Sequence, residues 1–366
     1  MKSSLSTTCF ISICALLLCV LLSCEKEFNP RDKYKDITIV YGLINPVDSV
    51  HYIRINKAFL GPESIIVMAE KPDSSLYPVE DIDVRIFEIT PDGKSTPLKV
   101  GTTVIQKDTG YFYQEQRVYF FERKFEKSTW GFYNLDNTIK IEIELKKSGK
   151  IIYAETPLVN SFNIESPMQN IALNLDPTKG NGTFKWDNAK NGRIYDVYYT
   201  MYYHQGNVAD SSFHIYKEDS LVWHIGSHSA TSTGGSGSPQ EEKFQFNQGT
   251  FYAQLQKKLK DDPNVWRAAH KEVKFSIWCG SEDLYYYHNI NNPSQGLTQD
   301  RPEYTNLKTK KYSEELGKYE ELENEAFGLF ASRIVQYRFL LLSPEMIQKH
   351  LPESGRQFLK READEH

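Results

Sequence analysis

The residues best placed to do chemistry stand together near the start of the chain, at Leu21-Leu22-Ser23-Cys24. An apolar run from Cys9 to Leu22 leads into them, with Lys2 ahead of it. A positive start, a short apolar core and a small residue at the cut describe a secretion signal. The run is shorter than the roughly 20 residues a membrane-spanning helix needs. Leu21 and Ser23 suit a lipoprotein signal peptidase, with Leu22 the less typical residue between them. The expected chemistry is thioether formation. The thiol of Cys24 takes a diacylglycerol, the chain is cut before it, and the new amino group is acylated. A buried methylene contributes about 0.8 kcal/mol, so one chain holds marginally and two or three hold stably. Residues 1–23 are thus read as a lipoprotein signal peptide and 24–35 as a lipidated tether. The first expected partner is the membrane, through acyl chains on Cys24. An ordinary secretory signal and a short anchor helix are the bland alternatives.

No other stretch offers comparable chemistry. There is no Gly-x-Ser-x-Gly elbow, no phosphate-cradling glycine loop and no His-Glu-x-x-His. His224 and His228 are four apart, but Trp223 to His228 reads as strand entering a Gly/Ser loop, where that spacing aligns nothing. They are read as two solvated histidines. The acidic pairs Glu282-Asp283 and Asp261-Asp262 fall at helix ends, where capping and dipole compensation account for them. Cys279, in Phe275-Ser276-Ile277-Trp278-Cys279, is read as a small buried hydrophobe and not a nucleophile. The reading therefore assigns no catalytic residue, no metal ligand and no cofactor, and it is that of a non-enzyme.

The aromatic clusters are the remaining candidates. Tyr198-Tyr199-Thr200-Met201-Tyr202-Tyr203 and Tyr285-Tyr286-Tyr287 could stack on sugar rings or anchor a protein partner. Tyr199, Tyr203, Tyr285 and Tyr286 are taken as the residues facing a glycan or peptide ligand. The alternative is cross-strand and core packing, because alternate residues of such a strand must point inward.

Bulk properties narrow the class. Cys9, Cys14 and Cys19 leave with the signal and Cys24 carries lipid, so Cys279 has no disulfide partner. A formal charge of −5 without a basic cluster argues against nucleic acid as a partner. Aromatic residues make up 13%, with 23 Tyr, which suits half-buried pleated surfaces of β-rich extracellular domains.

The elements that must position these residues alternate with period two. Asp36 to Leu43, His51 to Asn56, Asp81 to Ile86, Thr138 to Leu145 and Ile151 to Thr156 read as strands separated by turn residues such as Pro91-Asp92-Gly93. The fold class expected is mainly β, with an N-terminal Ig-like antiparallel β-sandwich over 36–162. A second β-rich domain with a few short helices is expected over 163–343. In it Phe251, Leu255 and Leu259 mark one helix, and Ser281-Glu282-Asp283 cap another. Val273, Phe275 and Ile277 mark a central strand between them. His228 to Gln240 reads as a mobile Gly/Ser loop. Residues 308–325 read as a charged insertion, an exposed helix or disorder, and 344–366 as a polar tail.

In the order of these blocks the chain resembles the Bacteroidota lipoprotein family called domain of unknown function 4249. The residues carrying the likeness are the tethered start, Tyr153-Ala154-Glu155-Thr156-Pro157, Glu303-Tyr304-Thr305-Asn306-Leu307 and Phe327-Gly328-Leu329-Phe330. In that family the last two pieces are nearly adjacent, whereas here the charged segment separates them. The resemblance implies an outer-membrane lipoprotein linked to TonB-dependent uptake, and no activity. The acids after Cys24, in Glu25-Lys26-Glu27, resemble export signals of surface lipoproteins, which favours the cell surface over a periplasm-facing position. The function expected is a non-enzymatic binding or accessory component alongside a TonB-dependent transporter. A structural or assembly role in the outer membrane is the alternative, and a hydrolase the third.

Overall fold

The computed structural model describes residues 37–58, 67, 75–106, 115–129, 131–133, 135–209, 212–235, 240–291 and 304–362. Cys24, the signal and the tether lie outside these residues, as do 236–239 of the Gly/Ser loop and the last four of the chain.

Alternating burial builds most elements. In β1 (Thr38–Ile44) Val40 and Ile44 are fully buried, while Tyr41 faces out. In β2 (Val50–Lys57) His51, Ile53 and Ile55 alternate with exposed Tyr52 and Arg54. β3 (Ile82–Ile89) turns at Gly93, whose φ of 82° favours glycine, into β4 (Ser95–Leu98). β5 (Val100–Gln106) pairs with β6 (Glu115–Glu122). β7 (Thr138–Leu145) buries Ile139, Ile141, Ile143 and Leu145 on one face and runs back as β8 (Lys150–Pro157). Short strands β9 (Ile164–Ser166), β10 (Ala172–Leu173) and β11 (Asn181–Asp187) follow.

Long strands then dominate: β12 (Ile194–Ala209) and β13 (Ser212–Ser229), with β14 (Glu241–Asn247) after them. Helix α1 (Thr250–Lys258) buries Phe251 and Leu255, and Leu259 just beyond it, as the spacing implies. β15 (Trp266–Gly280) carries the buried row Val273, Phe275 and Ile277. Helix α2 (Glu282–Asn291) starts where expected, with the carbonyl of Ser281 accepting the Tyr285 N–H at 3.1 Å. β16 (Lys308–Ser313), β17 (Lys318–Leu322), β18 (Ala326–Leu342) and β19 (Phe358–Glu362) complete the order. The chain is mainly β. Among the described residues no helix is long and apolar enough to cross a membrane.

Three sheets result. A ten-stranded sheet runs β13-β12-β15-β18-β1-β2-β6-β5, with β10 added to β18 and β19 to β15. A six-stranded sheet runs β17-β16-β8-β7-β3-β4, and a three-stranded one β14-β11-β9. The strands expected as an N-terminal sandwich divide between the first two, and their inner faces join one hydrophobic core.

The boundary expected after residue 162 is crossed twice by strand pairing. β1 lies parallel to β18, from Thr38 opposite Ala326 to Ile44 opposite Ser332, and β16 extends β8. The described residues from Ile37 onward form one compact unit. Alternation along a strand reveals its buried face but not its neighbour, so this long-range pairing leaves no local mark.

Three further expectations are corrected. The segment 308–325 is neither helix nor disorder but the β16–β17 hairpin on the edge of β8, with Thr309 buried. It buries few apolar side chains and is held by backbone pairing instead. The stretch after 343 is no free tail, since Met346, Ile347, Leu351 and Phe358 are buried and β19 pairs with β15. The described part of the loop after β13, 230–235, is also tied down. Ala230 N donates to Arg193 O at 3.0 Å, and Gly234 N to Ala189 O at 3.1 Å.

Candidate functional site

Strand parity decides which tyrosines can meet a ligand. Along β12 the odd positions Tyr195, Val197, Tyr199, Met201 and Tyr203 face the core. Tyr199 and Tyr203 are 1% and 2% exposed, so neither of these expected contact residues is accessible. Tyr199 packs edge-on against Phe251 at 5.5 Å and Trp223 at 6.5 Å. The even positions Tyr198, Thr200 and Tyr202 face outward. The apolar Val197 and Met201, in phase with Tyr199, are the sequence signal that marks the inner face.

Tyr285 and Tyr286 stand on α2. Tyr285 lies half-buried under the Arg193 guanidinium at 5.0 Å. Tyr286 is exposed beside Tyr304, with ring centroids 5.8 Å apart. The Tyr304 hydroxyl donates to Asp283 at 2.7 Å, and burial, followed by that carboxylate, pushes its pKa up. Tyr287 meets Tyr41 of β1, with hydroxyls 3.4 Å apart. Helix α2 thus reaches one border of the outward face of the ten-stranded sheet.

That face carries a shallow cleft of about 540 Å³. β12 gives it Tyr198, Thr200 and Tyr202, β13 gives Ser220 and Val222, β15 gives Lys274, Ser276 and Trp278, and β18 gives Arg333. A second hollow of about 420 Å³, lined by Tyr41, Asp48, Tyr52 and Leu329 among others, shares Arg333. Because β15, β18, β1 and β2 are successive neighbours, the two hollows adjoin across one continuous sheet.

Arg333 sits at their junction. Its guanidinium lies 4.7 Å from the Trp278 ring centroid, a cation–π contact worth about 0.5–2 kcal/mol. Nε is buried without a hydrogen-bond partner. Among the described residues no carboxylate lies within ion-pair distance of it. Burial pulls its pKa down against the opposing fields of Asp48 and Tyr198, yet a guanidinium stays charged. Lys274 adds a second cation, 4.8 Å from the Tyr337 ring. Tyr198 lies between Trp278 at 6.2 Å and the His224 ring at 4.7 Å. Its phenol is pushed up by burial and then by Asp196. At that end Asp196 accepts from Ser227 Oγ at 2.5 Å and lies 3.2 Å from His224 Nε2.

These groups can hold a ligand with flat apolar faces and a negative charge. Aromatic rings supply stacking surfaces, the hydroxyls of Thr200, Ser220 and Ser276 supply hydrogen bonds, and two cations supply charge. Arg333, Trp278 and Lys274 were not legible as site residues. Each is a single polar or aromatic residue; the alternation of Val273, Phe275 and Ile277 gives the outer face of β15, but nothing local says which strands lie beside it.

His224 is solvated as expected, but His228 is not. Its Nε2 lies 2.6 Å from Glu242, and its ring packs edge-on against Trp186 at 5.5 Å. Cys279 is fully buried, and burial pushes its thiol far up, consistent with a packing role. A comparison with protein-family models finds no match for the chain, and a comparison with curated proteins finds none either.

Proposed function

We propose that the chain is a non-enzymatic, lipid-anchored binding protein of the outer membrane, displayed at the cell surface through acyl chains on Cys24. Its ligand-holding surface is the outward face of the ten-stranded sheet. The observation that carries this reading is Arg333, a half-buried guanidinium set among Trp278, Tyr198 and Tyr41 with no acid paired to it among the described residues. Holding a cation partly out of water without a direct ion-pair partner is unfavourable, and an arriving anion relieves it. Open aromatic faces with hydroxyls between them suit the apolar faces and hydroxyls of sugar rings. The ligand class favoured is therefore an acidic oligosaccharide. Docking beside a TonB-dependent transporter is the accessory role that fits such capture, in keeping with the resemblance of short motifs to domain of unknown function 4249.

The test uses the full chain in detergent, presented with immobilised neutral and acidic oligosaccharides and with acidic peptides. Acidic sugars should be retained, and Arg333→Gln should weaken retention by about tenfold or more, the loss of one charge-assisted contact. Retention of peptides alone would replace the ligand class. Equal retention of neutral sugars by both proteins would remove Arg333 from the reading. Anchoring is tested separately, because the thiol of Cys24 is the handle for the lipid. Cys24→Ala should abolish incorporation of labelled palmitate, and persistent labelling would end the lipoprotein reading.

A further inference from the structure

Past the cleft, near the far end of β12, three potential metal ligands converge from three strands. The β12–β13 register sets His204 opposite Glu218. On its other side β12 slips in register against β15 between Met201 and Tyr203, which sets His204 opposite Ala268, two residues before His270. One ligand atom from each of His204, Glu218 and His270 lies within 4.8 Å of the other two. The two imidazoles meet nearly edge to face, with centroids 4.5 Å apart. His204 Nδ1 is buried and has no hydrogen-bond partner. The carboxylate of Glu218 is exposed and forms no ion pair among the described residues.

An orphaned imidazole nitrogen beside a second imidazole and an uncommitted carboxylate is poor packing for a protein alone. It is a good donor set for a metal. We propose that His204, Glu218 and His270 bind a divalent transition-metal ion, with Zn²⁺ the best fit. Nitrogen and carboxylate donors about 2.0–2.2 Å from one ion stand at most about 4 Å apart. The observed spread therefore closes with a small rotation of the exposed Glu218 side chain. Three protein donors leave a position open to solvent. Alternation along β12 puts His204 on the face that carries Tyr202 and Tyr198, and Glu218 is two residues from Ser220 on β13. The open position therefore faces the side of the sheet that bears the cleft.

A second cluster, Asp176, Glu345 and His350, serves as contrast. There Asp176 already accepts from Thr178 N at 2.8 Å and Thr178 Oγ1 at 2.7 Å, and Glu345 lies 3.5 Å from His350 Nε2. Both carboxylates are thus already engaged, Glu345 also by Asn174 Nδ2 at 2.7 Å, whereas Glu218 is not, although His350 Nε2 too lacks a hydrogen-bond partner among the described residues.

The full chain in detergent, stripped with a chelator, is titrated with Zn²⁺ by calorimetry and with Co²⁺ by visible absorption. One ion per chain is expected, with the ligand-field bands of a four- or five-coordinate Co²⁺ site. Glu218→Gln and His204→Ala should each weaken binding by at least about tenfold. His214→Ala, an exposed histidine on the same strand, should leave it unchanged. Glu218 is on the surface, so its variant keeps the test alive if His204→Ala fails to fold. Failure to bind either ion, or affinity unaltered in both variants, overturns the site. Neither outcome bears on sugar retention, so the two proposals fail separately.

Discussion

The side-chain amide of Asn306 closes two hydrogen bonds on the backbone of Phe330. Nδ2 donates to the Phe330 carbonyl at 2.7 Å, and Oδ1 accepts the Phe330 N–H at 3.0 Å. At this point β18 has β1 along one edge, with Gly42 opposite Phe330, while pairing with β15 begins only at Arg333. Asn306 occupies the edge that β15 does not reach. It thereby joins the Tyr304-Thr305-Asn306 and Gly328-Leu329-Phe330 pieces, although the β16–β17 hairpin separates them in the sequence.

Asn306→Ala should leave that donor and acceptor without their partners inside the sheet, at a cost of about 1–3 kcal/mol. Asn306→Asp loses the donor and sets a carboxylate against a carbonyl oxygen, so at neutral pH it should be at least as damaging. Denaturant unfolding measures both. Midpoints equal to the parent would show that the bracket contributes nothing.

Two buried tyrosines of β12 should respond to the same substitution with opposite signs. The Tyr199 hydroxyl is buried without a partner. Tyr199→Phe removes a desolvated polar group and should be neutral or up to about 1 kcal/mol stabilising. Tyr195 accepts the Ala189 N–H at 2.8 Å and donates to Asn188 Oδ1 at 2.6 Å. Tyr195→Phe should destabilise by about 1–2 kcal/mol. Thermal melts of the two variants with the same sign of shift would contradict this.

His51 predicts an acid-side loss of stability. It is 2% exposed, its ring is stacked on Phe121 at 4.7 Å, and its Nε2 lies 3.0 Å from the Arg123 carbonyl. Burial lowers its pKa below the ordinary 6.5, with that hydrogen bond and Asp48 pulling weakly the other way. The folded value is depressed, so the unfolded chain takes up the proton first as pH falls. The contribution is whole above about 6.5 and is lost as pH drops toward the folded value. His51→Gln keeps a donor but cannot titrate, so its stability should vary less with pH below 6.5 than that of the parent. Parallel curves would exclude His51 as the cause.

Much of the fold is legible because it is local. Ile82 to Ile86, Thr138 to Leu145 and the row Val273, Phe275, Ile277 each carry their buried face in their own alternation, and α1 carries its own in a spacing of four. What joins these pieces is not local. Nothing near Val40 announces Gly328, yet Gly328 holds a φ of 113° and a Cβ there would stand 2.0 Å from the Val40 carbonyl oxygen. That close approach requires glycine, a physical reason for a residue that in the sequence is only part of a short motif. The site divides in the same way. Its tyrosine-rich strand stands out, but choosing Tyr198 over Tyr199 needs the phase set by Val197 and Met201. Arg333 becomes a site residue only once β15 brings Trp278 beside it.

The β16–β17 hairpin supplies the final prediction. The charges of this segment read as a solvated insertion, and an insertion could be removed without consequence. Here its backbone pairs with β8 from Lys308 opposite Tyr153 to Lys311 opposite Lys150. Lys150 meets Glu325 at 2.6 Å, the Tyr153 hydroxyl donates to Glu321 at 2.7 Å, and Lys310 lies 5.1 Å from the rings of Tyr153 and Tyr319. Such exposed polar contacts contribute little each. Their removal, however, uncovers the edge of β8, and an uncovered edge recruits other chains. Deleting 310–322 should therefore lower the melting temperature by only a few degrees while causing self-association visible in size-exclusion chromatography. Trypsin should cut first after Lys318, beside the turn at 314–317, and spare Lys310 and Lys311, which pair on both sides. Cleavage at Lys310 or Lys311 as fast as at Lys318, or a deletion that stays monomeric with an unchanged melt, would restore the reading of a loose insertion.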